Sequence, residues 1–200
     1  MAGRCIVLNG ASSSGKTTIA FALQELWPGP NPLQLSGFDT FLSCQPREFY
    51  GIDGETAAGF SWRATTLDGV ASQQIVTGPL GAALIRAAQA YWRACAEEGF
   101  DQLIDDVWLT REQALGLKEA LEGFDVLWVG VHCPLEVLEA RERTRSDRPV
   151  GQARGQVHFV HSWTSYDLEL DTSKGSSTEC ALEILAALGL EPPVHMTRDV

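Results

Sequence analysis

One octapeptide near the N-terminus constrains this chain more than any other feature. Residues 10–17 read Gly-Ala-Ser-Ser-Ser-Gly-Lys-Thr and match the pattern GxxxxGK[ST]. The two glycines permit backbone angles that a Cβ opposes, so successive N–H groups can surround a phosphate. A Gly/Ser-rich turn can match this pattern by chance. Here a short apolar run, residues 5–9, precedes it and an amphipathic helix, about 16–27, follows, which favours a phosphate-binding loop (P-loop).

The positions of this loop have distinct expected roles. Lys16 is expected to reach the β- and γ-phosphates of ATP, and the Thr17 hydroxyl to be a ligand of Mg²⁺. Thr18 either touches the α-phosphate or packs in the first helical turn. A helix that starts near Lys16 adds its partial positive charge. The predicted ATP-binding set is Gly10, Ala11, Ser12, Ser13, Ser14, Gly15, Lys16, Thr17, Thr18 and Arg141.

Short apolar runs alternate with segments of helical periodicity along the rest of the chain, which predicts an α/β fold with a parallel sheet covered on both faces. A β-hairpin is predicted around the Asp68-Gly69 turn, between residues 60 and 76. The predicted strands are 5–9, 33–38, 101–107, 126–131 and 166–170, and the predicted helices are 16–27, 79–98, 111–122, 134–144, 151–160 and 177–188.

Charge and composition exclude several classes of partner. The 200 residues carry a formal net charge of −11, which disfavours binding to the phosphate backbone of nucleic acid. The five cysteines form no CxxC pair, as expected in a reducing compartment. No apolar stretch approaches the roughly 18 residues of a membrane span. We therefore expect a cytoplasmic protein that binds neither nucleic acid nor membrane.

Acidic residues fall at the ends of two predicted strands, where ligands bind in open parallel sheets. Asp39 is predicted to accept the proton of an attacking hydroxyl, although it could instead cap the next helix. Asp105 and Asp106 end the strand after Leu103-Ile104, and one of them is expected to serve Mg²⁺. Because side chains alternate along a strand, only one can face the site. Asp106 is preferred because it is nearer to the carboxyl end. Alternatively, both cap the loop before residue 111.

Five arginines cluster between residues 141 and 154, against the acidic balance of the chain. Guanidinium groups on a closing lid would neutralise charge on a transferring phosphoryl group. The alternative is a solvated helix face with Glu139–Arg143 pairing, which accounts poorly for Arg145 and Arg148 because Pro149 breaks the helix. Arg145 and Arg148 are therefore predicted to contact phosphate.

Aromatic side chains are frequent in the irregular region 40–80. They could line a pocket for the phosphate acceptor or pack the hairpin onto the body of the protein, and composition favours neither. The predicted acceptor-binding set is Asp39, Phe41, Phe60, Trp62 and Asp106.

The chain resembles the chloramphenicol phosphotransferases over nearly its whole length and in order. The resemblance is carried by residues 6–10, Ser12, Ser13, Gly15 and Lys16, Phe38-Asp39, residues 104–107, the run Asp-Val-Leu-Trp-Val-Gly-Val at 125–131, Arg141, Thr144-Arg145, Asp147-Arg148, Tyr166-Asp167 and Asp171-Thr172. It implies a nucleotide-kinase-like P-loop fold with a five-stranded parallel core and a lid, ATP with Mg²⁺, transfer to a primary hydroxyl of an antibiotic, and a homo-oligomer. Asp39 falls on the family's catalytic aspartate, Arg145 and Arg148 on its lid arginines, and Asp106 on its Walker-B-type aspartate.

The sequence thus predicts an ATP-dependent O-phosphotransferase acting on a small-molecule hydroxyl. Catalysis is assigned to Lys16, Asp39, Arg145 and Arg148, and metal binding to Thr17 and Asp106. One kinase domain is expected over residues 1–190, with an acceptor-binding insert at about 40–80, a lid at about 141–155 and a flexible tail at 191–200. Residues 45–80 follow the family pattern loosely, so a nucleotide or metabolite kinase is an alternative. A non-catalytic nucleotide switch is less favoured, since no Asn-Lys-x-Asp guanine-reading segment occurs.

Overall fold

The computed structural model describes residues 2–51, 55–144 and 150–193. Its strands are β1 (Cys5–Asn9), β2 (Gln34–Gly37), β3 (Tyr50–Gly51), β4 (Phe60–Leu67), β5 (Val70–Thr77), β6 (Gln102–Asp106), β7 (Val126–His132) and β8 (Leu168–Asp171). Its α-helices are α1 (Lys16–Leu26), α2 (Phe38–Leu42), α3 (Pro79–Glu97), α4 (Arg111–Ala120), α5 (Leu135–Arg143), α6 (Gln152–Val157) and α7 (Ser177–Ala187). A turn of 3₁₀-helix spans Arg47–Phe49.

Five parallel strands form the central sheet in the order β2-β6-β1-β7-β8. The central strand β1 is fully buried along its length, which explains why its sequence is a continuous apolar run rather than an alternating one. The five-stranded parallel sheet flanked by helices, predicted from the sequence, is therefore confirmed. Because β1 lies in the middle, the loop that follows it opens at the centre of the carboxyl edge of the sheet.

Helices cover both faces of the sheet. On one face, α1 and α7 pack through Ile19, Leu23 and Ile184 against Leu8 and Val131 of the strands. On the other face, α3 and α4 contribute residues such as Trp92 and Leu117 to a second apolar cluster. These helices have clear local signals: Pro79 opens α3, and a capping box of Ser176 and Glu179 opens α7. The two clusters fix the sheet between layers of helix.

A second, three-stranded sheet is formed by β3, β4 and β5. Strands β4 and β5 are antiparallel and joined at Asp68 and Gly69, whose φ angles of 52° and 77° are those of the tight turn that Asp-Gly predicts. Strand β5 packs against α6, where the Ser72 hydroxyl donates to the carbonyl oxygen of Gly151. The hairpin is therefore attached to the helix that follows the arginine-rich segment.

Several local expectations differ from the structure. Strand β2 ends at Gly37, and the next five residues form α2, a helix too short to show periodicity in the sequence. Asp39 therefore lies in the first turn of α2, with Gly37 as the N-cap, and not at the strand end itself. Strand β8 begins at Leu168 rather than at residue 166. Among the described residues, no helix has the length and apolar character that crossing a membrane requires.

Candidate active site

The phosphate loop connects β1 to α1 and has the backbone that its sequence predicts. Ser13 and Gly15 both adopt positive φ angles, 65° and 93°, which turn successive N–H groups toward one side. Gly10 is required for a different reason: a Cβ at this position would lie 2.3 Å from the carbonyl oxygen of Val131. The loop is thus pressed against the neighbouring strand, and a side chain at residue 10 would push it away.

Lys16 is held inside this loop, with only 6% of its surface exposed. Its Nζ donates hydrogen bonds to the carbonyl oxygens of Gly10 and Ala11, at 2.9 and 3.0 Å. The same nitrogen lies 3.9 Å from Oδ1 of Asp105. The positive charge of Lys16 is therefore held at the loop, where a bound phosphate would need a counter-charge.

The structure brings Thr17 and Asp105 together. The Thr17 hydroxyl lies 2.5 Å from Oδ2 of Asp105, which makes Asp105 the aspartate beside the phosphate loop. The sequence-based preference for Asp106 differs from this arrangement because the alternation along β6 turns Asp106 away from Thr17. Proximity to the carboxyl end of the strand was a weaker guide than the face on which the side chain lies.

Asp106 is buried on the opposite side of β6 and is held by Gln113. Nε2 of Gln113 lies 3.3 and 3.4 Å from the two carboxylate oxygens, and the backbone N–H of Val107 donates to Oδ1 at 2.8 Å. Burial, with a further contribution from the charge of Asp105, raises the pKa of Asp106 to about 7, although the hydrogen bonds lower it in part. Asp106 is therefore a carboxyl group that is only partly ionised near neutral pH.

Arg141 is the one residue of the arginine cluster that the structure places against the phosphate loop within its described part. Its Nη1 and Nη2 donate to Oγ1 and to the carbonyl oxygen of Thr172, both at 2.9 Å. Nη1 also lies 3.5 Å from the carbonyl oxygen of Ser13. The Thr172 hydroxyl in turn donates to the carbonyl oxygen of Ser14 at 2.7 Å. Arg141 and Thr172 therefore brace the loop from the side of β8.

A cavity of about 530 Å³ extends from the phosphate loop to the hairpin. At the loop end it is lined by Ser13, Gly15, Lys16, Thr17, Thr18 and Arg141, all of them in the predicted ATP-binding set. At the other end it is lined by Phe38, Leu42, Phe60, Trp62, Ile75, Ile85, Val107 and Leu109. Asp39, Asp105 and Asp106 line the same cavity. Carboxylates and a phosphate loop thus adjoin a mostly apolar chamber.

The predicted acceptor residues are not all in this chamber. Asp39, Phe60, Trp62 and Asp106 line it, but Phe41 does not. The ring of Phe41 packs edge-on against Tyr91 and Trp92, with centroids 5.4 and 5.7 Å apart. On α2 it faces α3, so it is a packing residue, and the assignment of Phe41 to the acceptor pocket is corrected.

The loop residues Ala11, Ser12 and Ser14 are buried but do not line the main cavity. The Ser12 backbone N–H donates to Oε1 of Gln156 on α6, at 2.7 Å. Ala11 and Ser14 line a separate, smaller cavity of about 290 Å³. Sequence reasoning missed Gln156, because nothing local marks a residue 144 positions away as a partner of the loop.

The predicted lid arginines Arg145 and Arg148 lie outside the described residues.

The strand that leads into the loop is fixed by Asn9. Its Nδ2 donates to the carbonyl oxygen of Val160 at 2.9 Å and to Oη of Tyr166 at 2.6 Å. Its Oδ1 accepts a hydrogen bond from the backbone N–H of Trp108 at 3.0 Å. Nδ1 of His161 lies 2.9 Å from the same Tyr166 oxygen. Burial lowers the pKa of His161 to about 4 and raises that of Tyr166 to about 12, so both groups are neutral near pH 7.

Solved structures identify the class of this fold. The structure of a sugar kinase from Janibacter sp. HTCC2649 superimposes with a TM-score of 0.64 at 20% identity, covering 94% of this chain and 95% of that chain. The Mycobacterium tuberculosis APS kinase CysC superimposes with a TM-score of 0.62 at 17% identity, covering 94% and 98%. Together with the loop geometry, these similarities establish a P-loop kinase fold.

Sequence comparison identifies the family within this class. The sequence model of the family described as chloramphenicol phosphotransferase-like proteins matches residues 3–189 of this chain. A Mycobacterium tuberculosis (strain H37Rv) protein described as a putative O-phosphotransferase is 33% identical over 183 residues, which are 91% of this chain and 80% of the relative. The chain belongs to the chloramphenicol phosphotransferase-like family and is a phosphotransferase of the kinase type.

Proposed function

We propose that this protein transfers the γ-phosphate of ATP to a hydroxyl group of a small molecule with an apolar body, with chloramphenicol or a related antibiotic as the first candidate. The observation that carries this proposal is the single cavity in which Lys16, Thr17 and Asp39 adjoin an apolar chamber. The phosphate loop provides one end of such a transfer, and a chamber lined by Phe60 and Trp62 suits the other.

Mg²⁺ fits the residues present at the loop. The Thr17 hydroxyl and the Asp105 carboxylate are oxygen donors 2.5 Å apart, and Mg²⁺ is commonly bound through one or two such groups together with substrate phosphates. Among the described residues there is no cluster of three or more His, Cys, Asp or Glu side chains suited to a metal, which agrees with an ion held largely by the nucleotide. When bound, Mg²⁺ would neutralise charge on the β- and γ-phosphates. We assign its contacts to Thr17 and Asp105, in preference to Asp106.

Asp39 is the proposed general base. It lines the cavity that joins the phosphate loop to the apolar chamber, where a carboxylate can accept the proton of an attacking hydroxyl. Lys16 is expected to move from its carbonyl partners toward the β- and γ-phosphates. The lid arginines Arg145 and Arg148 remain predictions for the charge that develops on the transferring group. Proton removal, substrate orientation and charge neutralisation are thus assigned to separate side chains.

The chamber supports an acceptor with a largely apolar body. Sites that bind nucleotides or sugars need several hydrogen-bonding groups for the polar edges of the ligand. Here eight apolar side chains line the acceptor end, with Asp106 and Gln113 adding a polar edge at one wall. This composition favours an aromatic, hydroxylated antibiotic over the alternative, a nucleotide or polar metabolite.

Mass spectrometry provides the direct test. Chloramphenicol incubated with the protein, Mg²⁺ and ATP is expected to gain one phosphoryl group, and the Asp39→Asn variant is expected to lose roughly 10²–10⁴-fold in rate while still binding ATP. If chloramphenicol gains nothing, a panel of hydroxylated antibiotics, nucleosides and sugars, read by ATP consumption, identifies the acceptor. Consumption with polar metabolites alone would support the alternative kinase. Near-normal turnover by Asp39→Asn would remove Asp39 from the role of base.

A further inference from the structure

Helix α6 presents two glutamines to the main cavity. Gln152 and Gln156 are four residues apart and therefore lie on the same face of the helix. Both line the cavity. The indole Nε1 of Trp62 donates to Oε1 of Gln152 at 3.2 Å, and the backbone N–H of Ser12 donates to Oε1 of Gln156 at 2.7 Å. One glutamine thus contacts the acceptor chamber and the other the phosphate loop.

The position of α6 is fixed from two other directions. The carboxylate of Glu142, which is fully buried, accepts the backbone N–H groups of Gly151 at 2.6 Å and Ala153 at 2.8 Å. On the hairpin side, Gly155 lies so close to β5 that an added Cβ would be 2.0 Å from the carbonyl oxygen of Gln73. The glutamine face is therefore presented to the cavity by a helix with little freedom to shift.

The hydrogen bond from Ser12 determines how the Gln156 amide is oriented. Because Oε1 accepts from this N–H group, Nε2 is directed elsewhere and has two hydrogens to donate. Gln156 is 3% exposed, and within the described parts of the chain Nε2 makes no hydrogen bond. Gln156 is a buried residue on the cavity wall beside the phosphate loop, and its amide donor is arranged for an anionic oxygen in the cavity.

We propose that Gln156 donates a hydrogen bond from Nε2 to the γ-phosphoryl group of ATP while its Oε1 orients the phosphate loop through Ser12. The inference rests on the proposed function and adds a phosphate-binding residue to it. In the transfer, the bond from the γ-phosphorus to the β–γ bridging oxygen breaks, and a bond from the acceptor oxygen forms. The acceptor proton goes to Asp39, and Gln156 exchanges no proton or electron. Its donor stabilises the charge on the phosphoryl oxygens.

Binding of two nucleotides, ADP and AMP-PNP, distinguishes a contact with the γ-phosphate from a role of Gln156 limited to its hydrogen bond with Ser12. ADP lacks the γ-phosphate, whereas the non-hydrolysable analogue AMP-PNP retains a group in its place. In Gln156→Glu the oxygen that accepts from Ser12 is kept, but the donor becomes a negative charge. Isothermal titration calorimetry with Mg²⁺ should show AMP-PNP binding weakened about tenfold or more and ADP binding changed about twofold or less, since hydrogen bonds to charged groups carry such energies.

Gln156→Leu and Gln152→Leu complete the comparison. Gln156→Leu should weaken the binding of both nucleotides, with the larger loss for AMP-PNP. Gln152→Leu removes the contact with Trp62 and should leave the ratio of the two dissociation constants within about twofold of wild type, because Gln152 does not contact the loop. An unchanged ratio in both Gln156 variants overturns the inference and leaves Gln156 as a brace.

The same titrations distinguish a failure of this inference from a failure of the proposed function. Wild-type protein that binds neither nucleotide overturns both. Wild-type protein that binds both nucleotides but fails to phosphorylate any acceptor in the panel contradicts the proposed transfer activity, and a selective loss of AMP-PNP binding in Gln156→Glu would still support the γ-phosphate contact. Thermal unfolding of each variant confirms that the titrated protein is folded.

Discussion

The Thr17 hydroxyl lies 2.5 Å from Oδ2 of Asp105, and this contact joins the start of α1 to the end of β6. The two residues are 88 positions apart, and the strands bring them together because β6 lies directly beside β1 in the sheet. Asp106, the next residue, is turned to the other side and held by Gln113. Successive side chains of a strand point to opposite faces of the sheet, so these two adjacent aspartates lie in different environments.

Exchange of each aspartate for asparagine tests which one serves the metal. Asp105→Asn should reduce the gain in ATP affinity that Mg²⁺ provides by roughly 10- to 100-fold, because a neutral amide is a poor ligand for this ion. Titrations with and without Mg²⁺ measure this gain. The matched variant Asp106→Asn should retain most of it. The opposite ranking of the two variants would return the metal role to Asp106.

The support that Arg141 gives to the phosphate loop should depend on the forked geometry of its guanidinium group and not only on its charge. Arg141→Lys preserves the charge but cannot make both hydrogen bonds to Thr172, so the phosphate loop loses part of its brace. We expect ADP binding to weaken by about 5- to 20-fold, consistent with the loss of one or two hydrogen bonds. Arg143→Lys, at an exposed position on the same helix, is the control and should bind ADP as wild type does. Equal effects in both variants would argue against the brace.

Glu142 should be important for the stability of the segment that carries Gln156. Glu142→Ala leaves the buried N–H groups of Gly151 and Ala153 without their acceptor, at a cost of about 1–3 kcal/mol for each unsatisfied group. Urea unfolding should therefore show a loss of at least about 2 kcal/mol. Glu136→Ala, at an exposed position of α5, should change the free energy of unfolding by less than about 0.5 kcal/mol. A similar small change in Glu142→Ala would contradict this role.

His161 should contribute to the loss of folding stability as the pH falls. Burial lowers its pKa from 6.5 to about 4, so between these values the unfolded chain binds a proton that the folded protein does not. This contribution to stability is present above about pH 6.5 and is lost as the pH falls toward 4, with an upper limit of about 3 kcal/mol.

The variant His161→Phe cannot bind this proton. It loses the hydrogen bond to Tyr166 at every pH, but its free energy of unfolding should fall less steeply than that of wild type between pH 7 and 4.5. Chemical denaturation across this range measures the slope. His158→Gln, at an exposed position, should retain the slope of wild type. Parallel pH profiles for wild type and His161→Phe would exclude His161 as the source.

The features that were predictable from sequence are those with a local cause. The phosphate loop, the Asp68-Gly69 turn and the buried strand β1 each depend on a few neighbouring residues, and the structure contains all three. Helix α2 was missed because five residues cannot display a helical period, so Asp39 was read as the end of a strand.

The parts of the site that were not predictable depend on contacts between distant segments. The choice between Asp105 and Asp106 depends on which face of the sheet each side chain occupies. The pairing of Leu8 with Asp105 puts these two side chains on the same face, and no local pattern reveals that register. Gln156 has no local signal, because its partner is a backbone N–H group at the other end of the domain. Phe41 had the right composition for a pocket residue but lies on the wrong face of α2.

The hairpin of β4 and β5 belongs to a sheet that shares no strand with the central one. A change in Trp62 or Ile75 therefore alters no strand pairing of the central sheet beneath the phosphate loop. For an enzyme under selection, this separation would let acceptor preference drift through mutation of the hairpin while the phosphate-transfer machinery stays intact. A library confined to Trp62 and Ile75, which are half-buried, would sample new acceptors while Phe60, which is 2% exposed, keeps its packing. Relatives that share the loop need not share a substrate.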